Sequence, residues 1–282
     1  MVTQRLVTRI VHAEHASDGA GVKLNRVIAN SQLDHLDPFL LLDEFNTDAP
    51  QDYVAGFPEH PHRGFETVTY MLAGRMRHRD NQGNEGLLLA GGAQWMTAGR
   101  GILHAEMPEQ EAGLLHGFQL WVNLPAATKM GPPRYQDIEP AQIPTVGGGP
   151  GVLVRVLAGA FGQAHGPVNG VWTAPHYFDV TLESGCRTSI PVPAQHTAFA
   201  YVFAGAASVG NLEVDSTRLR TRSLGVLSEG DVVHLTADDG GARLLVVAGQ
   251  PIREPIVRYG PFVMNTEAEI HRAFADFHAG RF

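Results

Sequence analysis

The sequence has little that would cross-link the chain, anchor it in a membrane or give it a strong positive charge. A lone cysteine, Cys186, excludes an internal disulfide and fits a reducing compartment. No apolar run approaches the ~20 residues that span a bilayer, and the opening residues lack the apolar stretch of a signal peptide. The formal charge of −8 provides no basic face for a phosphate backbone. We therefore expect a cytoplasmic protein that binds neither membranes nor nucleic acid directly.

Long helical patterns are also scarce. The 32 glycines and 18 prolines are spread between short apolar runs, which favours many strands and turns. In residues 114–124, apolar residues alternate with polar or aromatic ones, so that Gln119 and Trp121 share one face of a predicted strand. A convincing helix is predicted only in the tail, where Thr266 or Asn265 can cap its first turn.

The composition of the chain shifts near its middle. Residues 139–151 are rich in proline and glycine and offer little to bury, which is typical of a linker. The predicted bounds are 1–140 for an N-terminal domain, 141–151 for the linker, 152–250 for a C-terminal domain, and 251–282 for a tail and helix packed back on the body.

Two pairs of potential metal ligands stand out. His60 and His62 flank Pro61, and residues two apart in an extended chain point to the same side. Pro61 restricts the chain to that extended conformation. His104 and Glu106 repeat the same spacing farther along. If the two pairs lie on facing strands, they supply three nitrogens and one oxygen around a single point.

Imidazole and carboxylate ligands suit Fe, Mn, Ni, Co or Zn, and no thiolate is present to favour one of these ions. Four protein ligands leave up to two positions of an octahedral ion open, as catalysis requires. Glu66 also falls on the histidine side if its strand stays regular, and is a second candidate carboxylate. A lone H-x-H is more often a structural or solvated pair. The second pair at the same spacing makes a metal site the better interpretation.

At these residues the sequence resembles the pirin family of bicupin proteins. The resemblance is dense in the N-terminal half and sparse between residues 151 and 251. The stretches that carry it are DPFLLLDEF at Asp37–Phe45, HPHRGFETVTYMLAG at His60–Gly74, QWMTAGRGILHAE at Gln94–Glu106, FQLWVNLP at Phe118–Pro125 and GPFVMNT at Gly260–Thr266.

The resemblance implies an all-β fold of two cupin, jelly-roll-like barrels with a C-terminal helix, and a metal only in the N-terminal barrel. It assigns one divalent transition metal, iron(II) first, with Ni, Mn, Co, Cu or Zn as other candidates. It also selects Glu106 over Glu66 as the carboxylate ligand, leaving Glu66 to orient a histidine ring. The implied ligands are His60, His62, His104 and Glu106.

A weak internal repeat bears on the second barrel. TVTYMLAG in the first half corresponds to AFAYVFAG in the second, which indicates an old duplication. The alignment places Pro191 and Pro193 opposite the two histidines of the H-x-H, and Ala242 and Leu244 opposite the second ligand pair. None of these four side chains is a metal ligand, so we expect the second barrel to hold no metal.

The resemblance further implies a quercetin 2,3-dioxygenase-like enzyme that cleaves a flavonol with O2 and releases carbon monoxide. Its substrate would be a small aromatic or enolic molecule. Glu106 or Glu66 would accept the flavonol proton as a general base. The candidate pocket walls are Phe57, Met71, Met96, Gln119 and Trp121.

Two alternatives accompany the enzyme hypothesis. Animal pirins act as iron-dependent nuclear cofactors that bind transcription regulators, which would make this chain a redox-sensing interaction protein with a protein partner. Cupins also host many reactions on one scaffold, so another enol substrate is the third hypothesis. We expect the protein to be a monomer in each case.

Overall fold

The computed structural model describes residues 2–211 and 214–282, in which strands are the main secondary structure. In chain order the strands are β1 (Val7–His12), β2 (Glu14–Asp18), β3 (Val22–Ile28), β4 (Phe39–Thr47), β5 (Phe57–His62), β6 (Phe65–Ala73), β7 (Arg75–Asp80), β8 (Glu85–Leu89), β9 (Ala93–Thr97), β10 (Ile102–Pro108), β11 (Leu115–Asn123), β12 (Arg134–Ile138), β13 (Thr145–Gly149), β14 (Val152–Ala158), β15 (Ala160–Phe161), β16 (Ala164–His165), β17 (His176–Leu182), β18 (Arg187–Pro191), β19 (Thr197–Asn211), β20 (Asp215–Arg220), β21 (Ser223–Leu227), β22 (Val232–Gly249), β23 (Val257–Tyr259) and β24 (Phe262–Met264). The α-helices are α1 (Ala126–Lys129) and α2 (Glu267–His278), and short 3-10 turns lie at Pro50–Asp52 and Pro140–Gln142. Within the described ranges, no helix has the length and apolarity needed to cross a membrane.

The chain forms two compact units. The larger unit contains Glu14–Ala29, Asp37–Ala141 and Ile252–Phe282. The smaller unit contains Met1–Ala13, Asn30–Leu36 and Gln142–Pro251.

Two antiparallel sheets build the larger unit. One has seven strands in the order β12-β9-β6-β11-β4-β3-β2, and the other has four in the order β5-β10-β7-β8. Strand β11 lies inside the seven-stranded sheet between β4 and β6, which is why nearly every residue of β11 is buried or half-buried. The four-stranded sheet carries both predicted ligand pairs, on β5 and β10.

The smaller unit is built on one nine-stranded antiparallel sheet. Its main path runs β1-β21-β19-β22-β17-β14-β13, with β18 paired to β22 and β20 paired to β19. The apolar face of this sheet forms a continuous core, which includes Val156, Phe178, Val180, Val202 and Leu244. Burial of such aliphatic and aromatic side chains is the main stabilising term for a sheet of this kind.

The compact units differ in detail from the predicted domain bounds. Strand β1 pairs with β21, so the first residues of the chain belong to the smaller unit. The buried guanidinium of Arg5 strengthens this attachment, because it donates hydrogen bonds to the carbonyls of Pro193, Ser228 and Gly230 at 2.7–2.8 Å. The predicted linker also contains a strand, β13, which pairs with β14. Strand β1 joins the sheet by pairing with β21, which is distant in the sequence, and β13 joins it by pairing with β14 at the sheet edge. Local composition does not reveal either pairing.

A tight turn joins β5 to β6 directly after the H-x-H. Gly64 has φ 89°, and a Cβ there would lie 2.0 Å from the carbonyl oxygen of Val263. The buried amino group of Lys129 lies at the same place and donates to the carbonyls of Gly64 (2.6 Å) and Val263 (3.0 Å) and to the Asn123 side chain (2.6 Å). Lys129 therefore ties the turn to strand β24 and to the end of β11.

The substitution Lys129→Met should lower the free energy of unfolding by about 3 kcal/mol, because three buried acceptors lose their donor at roughly 1 kcal/mol each. Urea denaturation followed by circular dichroism measures the change. Lys23→Met is the matched control at an exposed position of the same unit, and should change stability by less than about 0.5 kcal/mol. Equal stabilities of the two variants would contradict this role for Lys129.

The tail forms the predicted C-terminal helix. Thr266 is the N-cap, and its side chain and that of Glu269 make a reciprocal capping box. The helix holds Asp276 against the buried Arg63, whose guanidinium donates to the Asp276 carboxylate at 2.8 Å and to the Arg100 carbonyl at 2.5 Å. Because Arg63 follows the end of β5 and Arg100 precedes β10, helix α2 supports segments that flank both ligand strands.

Candidate metal centre

Three histidines meet where β5 and β10 pair. The antiparallel register places His104 directly opposite His60, while His62 lies opposite Ile102. The ring centroids are 4.6 Å apart for His60 and His62, 4.5 Å for His60 and His104, and 5.0 Å for His62 and His104. One ligand nitrogen from each ring lies within 4.8 Å of the other two. The sequence spacing and the strand pairing together therefore produce a histidine triad.

The spacing of the triad nitrogens suits metal coordination better than hydrogen bonding between the rings. The Nε2 atoms of His60 and His62 are 3.0 Å apart, which is close to the ~3 Å between two ligands at right angles on an ion with ~2.1 Å bonds. The Nδ1 of His60 lies 2.8 Å from the Pro58 carbonyl. If Nδ1 carries the proton and donates it to that carbonyl, the Nε2 lone pair is free for a metal.

The other two rings have buried nitrogens without hydrogen-bond partners. They are the Nδ1 of His62 and both nitrogens of His104. Buried polar atoms are nearly always satisfied, so an unsatisfied group of this kind requires an explanation. An ion bound between the three rings would satisfy one nitrogen of His104, and the residues present therefore fit a divalent transition metal.

Burial also sets the protonation state of the triad. Desolvation lowers the pKa of His104 to about 4 and the pKa of His62 well below its usual range. Both imidazoles are therefore neutral near pH 7. The neutral ring is the form that binds a metal, so the fold does not need to remove a proton from either residue before binding.

Glu106 lies beside the triad on β10. A register shift between His104 and Glu106 places the glutamate opposite Phe57 of β5. Its Oε1 accepts a hydrogen bond from the Thr69 hydroxyl at 2.9 Å, and its Oε2 accepts one from the Gln119 amide at 2.8 Å. The carboxylate is buried, and among the influences on His104 its charge is the largest that raises the pKa. Glu106 does not join the three histidines within 4.8 Å.

Glu66 is placed away from the histidines. Alternation along β6 puts it on the opposite face from Thr69, which bonds to Glu106. Its Oε1 accepts from the Thr97 hydroxyl at 2.7 Å, and burial raises the pKa of Glu66. The expectation that Glu66 shares the histidine side assumed an unbroken strand, but the Gly64 turn separates β5 from β6.

A cavity of about 550 Å³ opens beside the triad in the larger unit. His60 and His62 line it, together with Phe57, Gln119 and Trp121 of the predicted pocket. Met71 and Met96 do not line this cavity. Met71 packs in a core cluster with Phe45 and Tyr53, and Met96 packs with Ala98 and Ile102.

Charged residues that sequence reasoning missed also line the cavity. Asp43 is buried and receives a two-point contact from Arg26 at 2.8 and 3.0 Å; burial raises its pKa to about 6 despite the opposing effect of Arg26. The Arg258 guanidinium lies 4.7 Å from the centre of the Trp121 ring. Asp43 and Arg258 come from β4 and β23, far from the H-x-H in sequence, so no local pattern links them to the site.

The comparisons with known proteins agree with this arrangement. The family profile described as Pirin matches residues 21–122, and the profile described as Pirin C-terminal cupin domain matches residues 177–282. The chain belongs to the pirin family. The sequence-based prediction of a mostly-strand pirin with two cupin domains and a C-terminal helix is therefore confirmed.

Relatives within the pirin family cover nearly the whole chain. A Pseudomonas aeruginosa protein provisionally named as a quercetin 2,3-dioxygenase is 52% identical over 96% of this chain and 95% of its own length. Human pirin is 42% identical over 98% of this chain and 93% of its own length. The crystal structure of quercetin 2,3-dioxygenase from Acinetobacter baumannii has a TM-score of 0.90 at 35% identity, covering 99% of this chain and 98% of that one.

The C-terminal cupin of this pirin has other side chains at the positions that the internal repeat aligns with the metal ligands. Ala242 and Leu244, which the internal repeat aligns with the second ligand pair, are packed in the apolar core of the smaller unit. Pro191 ends the edge strand β18, where a residue without a backbone donor is tolerated. Apolar packing thus takes the place of ligands at Ala242 and Leu244.

The variant His62→Ala should lower the affinity for a divalent metal by more than about 100-fold, since losing even a residue that only supports a ligand costs 10–100-fold. Competition with a chromophoric chelator measures the affinity. The exposed His15 of β2 provides the control His15→Ala, which should bind like the parent protein. Equal binding by parent, His62→Ala and His15→Ala would contradict the metal centre.

Proposed function

We propose that this chain is a metal-dependent dioxygenase that opens the flavonol ring of quercetin with O2 and releases carbon monoxide. The observation that carries the proposal is a histidine triad beside a partly aromatic cavity, whose wall includes His60 and His62 together with Phe57 and Trp121. The cavity volume of about 550 Å³ is within the range of small-molecule sites. Relatives named for quercetin dioxygenase activity match nearly the full length of the chain.

The proposed ligands are His60, His62 and His104, with Glu106 as the fourth. Iron(II) is the proposed ion, although a nitrogen and oxygen donor set also accepts Ni, Mn, Co, Cu or Zn. When bound, a divalent metal supplies Lewis acidity that stabilises the deprotonated enol oxygen of the substrate. Metal analysis of protein purified from its own host identifies the native ion.

The remaining steps belong to side chains of the protein. Glu106 is proposed as the group that accepts the flavonol proton, because it lies on the triad side of the sheet whereas Glu66 does not. Trp121 packs against Phe65, stacked at 4.3 Å, and against the Arg258 guanidinium. Its indole packs edge-on against His62 at 5.1 Å. A flat substrate confined between this wall and Phe57 is thereby directed towards the ligand histidines.

Iron-loaded protein incubated with quercetin under O2 should consume the flavonol and release one carbon monoxide per substrate. Loss of the flavonol absorbance and gas analysis of CO measure the reaction. His60→Ala should reduce kcat/KM by more than about 1,000-fold, because ligand loss removes the centre that stabilises the enol oxygen. His15→Ala should retain the parent rate. Turnover no faster than that of His60→Ala would contradict the proposal.

Phe57→Ala should raise KM for quercetin by about 10-fold, because removal of an aromatic wall forfeits roughly 1–2 kcal/mol of apolar burial. Metal content should stay at the parent level, since Phe57 supplies no ligand. Leu87→Ala, on the exposed strand β8, is the control and should leave KM unchanged. An unaltered KM in Phe57→Ala would place the substrate elsewhere.

A further inference from the structure

We infer that Gln119 is a positioning residue that fixes the direction of the Glu106 carboxylate, through a hydrogen-bond chain that begins at Trp121. The inference rests on the proposed role of Glu106 as a metal ligand. It adds a function for Gln119 beyond forming part of the cavity wall.

The hydrogen-bond chain from Trp121 to Glu106 is continuous and short. The indole Nε1 of Trp121 donates to Gln119 Oε1 at 3.2 Å, and Gln119 Nε2 donates to Glu106 Oε2 at 2.8 Å. Gln119 and Trp121 are two apart on β11 and so point to the same side. The register of β11 with β6 places Thr69 opposite Gln119, which brings the Thr69 hydroxyl within 2.9 Å of the other oxygen of Glu106.

The direction of each hydrogen bond follows from the chemistry of its ends. An indole N–H can only donate, and a carboxylate can only accept. The group between Trp121 and Glu106 must therefore accept at one end and donate at the other, as a primary amide does. The reversed orientation of Gln119 would face N–H with N–H and oxygen with oxygen. Trp121 thus determines the orientation of the amide, and the amide determines the position of Glu106 Oε2.

Both hydrogen-bond partners of Glu106 are neutral, and this determines whether the negative charge of the carboxylate is compensated. The Thr69 hydroxyl and the Gln119 amide hold one oxygen each, so rotation of the carboxylate breaks at least one hydrogen bond. A cationic partner would form a stronger pair and compensate the negative charge. Neutral donors orient the group and leave its charge available to a cation beside the histidines.

The test uses metal affinity and the visible spectrum of the Co(II)-loaded protein, which reports the coordination of the ion without any substrate. Gln119→Leu removes both hydrogen bonds at nearly constant size and should weaken Co(II) binding by about 10–100-fold. Its Co(II) absorption bands should shift, while the thermal midpoint of the metal-free protein stays within a few degrees of the parent. Gln82→Leu, in an exposed turn of the same unit, should match the parent in all three measurements.

A double-mutant cycle tests whether Trp121 acts on the ion through Gln119. Trp121→Phe keeps an aromatic wall but removes the indole donor, and should weaken Co(II) binding by about 5-fold, as expected for one neutral hydrogen bond. If Trp121 acts on the ion only through Gln119, the double variant should bind Co(II) no more weakly than Gln119→Leu alone. Additive losses would overturn the chain, and so would unchanged affinity and spectrum in Gln119→Leu.

These outcomes are independent of quercetin turnover. A protein that fails to cleave quercetin but shows the non-additive losses would retain Gln119 as a positioning residue and lose only the proposed reaction. A protein that cleaves quercetin, but whose Glu106→Gln variant binds Co(II) like the parent, would overturn the inference and leave the histidine triad in place.

Discussion

The pairing of β5 with β10 is the constraint on which the site depends. One strand supplies His60 and His62, but the third nitrogen arrives only because the register sets His104 opposite His60. A slip of one residue would turn His104 to the other face of the sheet. The segments that flank both strands are held by two buried basic side chains, Lys129 at the Gly64 turn and Arg63 between the Arg100 carbonyl and helix α2. Neither side chain binds substrate, and both support the site through hydrogen bonds.

The sequence revealed the features that depend on local spacing. The H-x-H and H-x-E pairs were visible because residues two apart share a face of any extended chain. The same alternation placed Gln119 and Trp121 together, and both line the cavity. The C-terminal helix could be predicted because its cap and apolar face lie within a dozen residues. The family resemblance supplied what spacing does not, namely the cupin architecture and the preference for Glu106.

Features that depend on an interrupted strand or on contacts between distant segments could not be predicted from the sequence. The orientation expected for Glu66 assumed one continuous strand, but the Gly64 turn restarts the alternation at β6. Met71 and Met96 are apolar strand residues like true pocket walls, and only the packing of other strands places them in the core. Arg258 and Asp43 reach the cavity from β23 and β4, and β1 joins the smaller unit by pairing with a strand more than 200 residues away.

We propose that one metal ion binds between His60, His62 and His104. Anomalous diffraction from crystals of the iron-loaded protein, collected above and below the iron absorption edge, tests this most directly. A single strong peak is expected at about 2.1 Å from the Nε2 atoms of His60 and His62 and from one nitrogen of His104, and none in the smaller unit. Fully loaded crystals with no peak between these rings, or with the ion bound elsewhere, would contradict it.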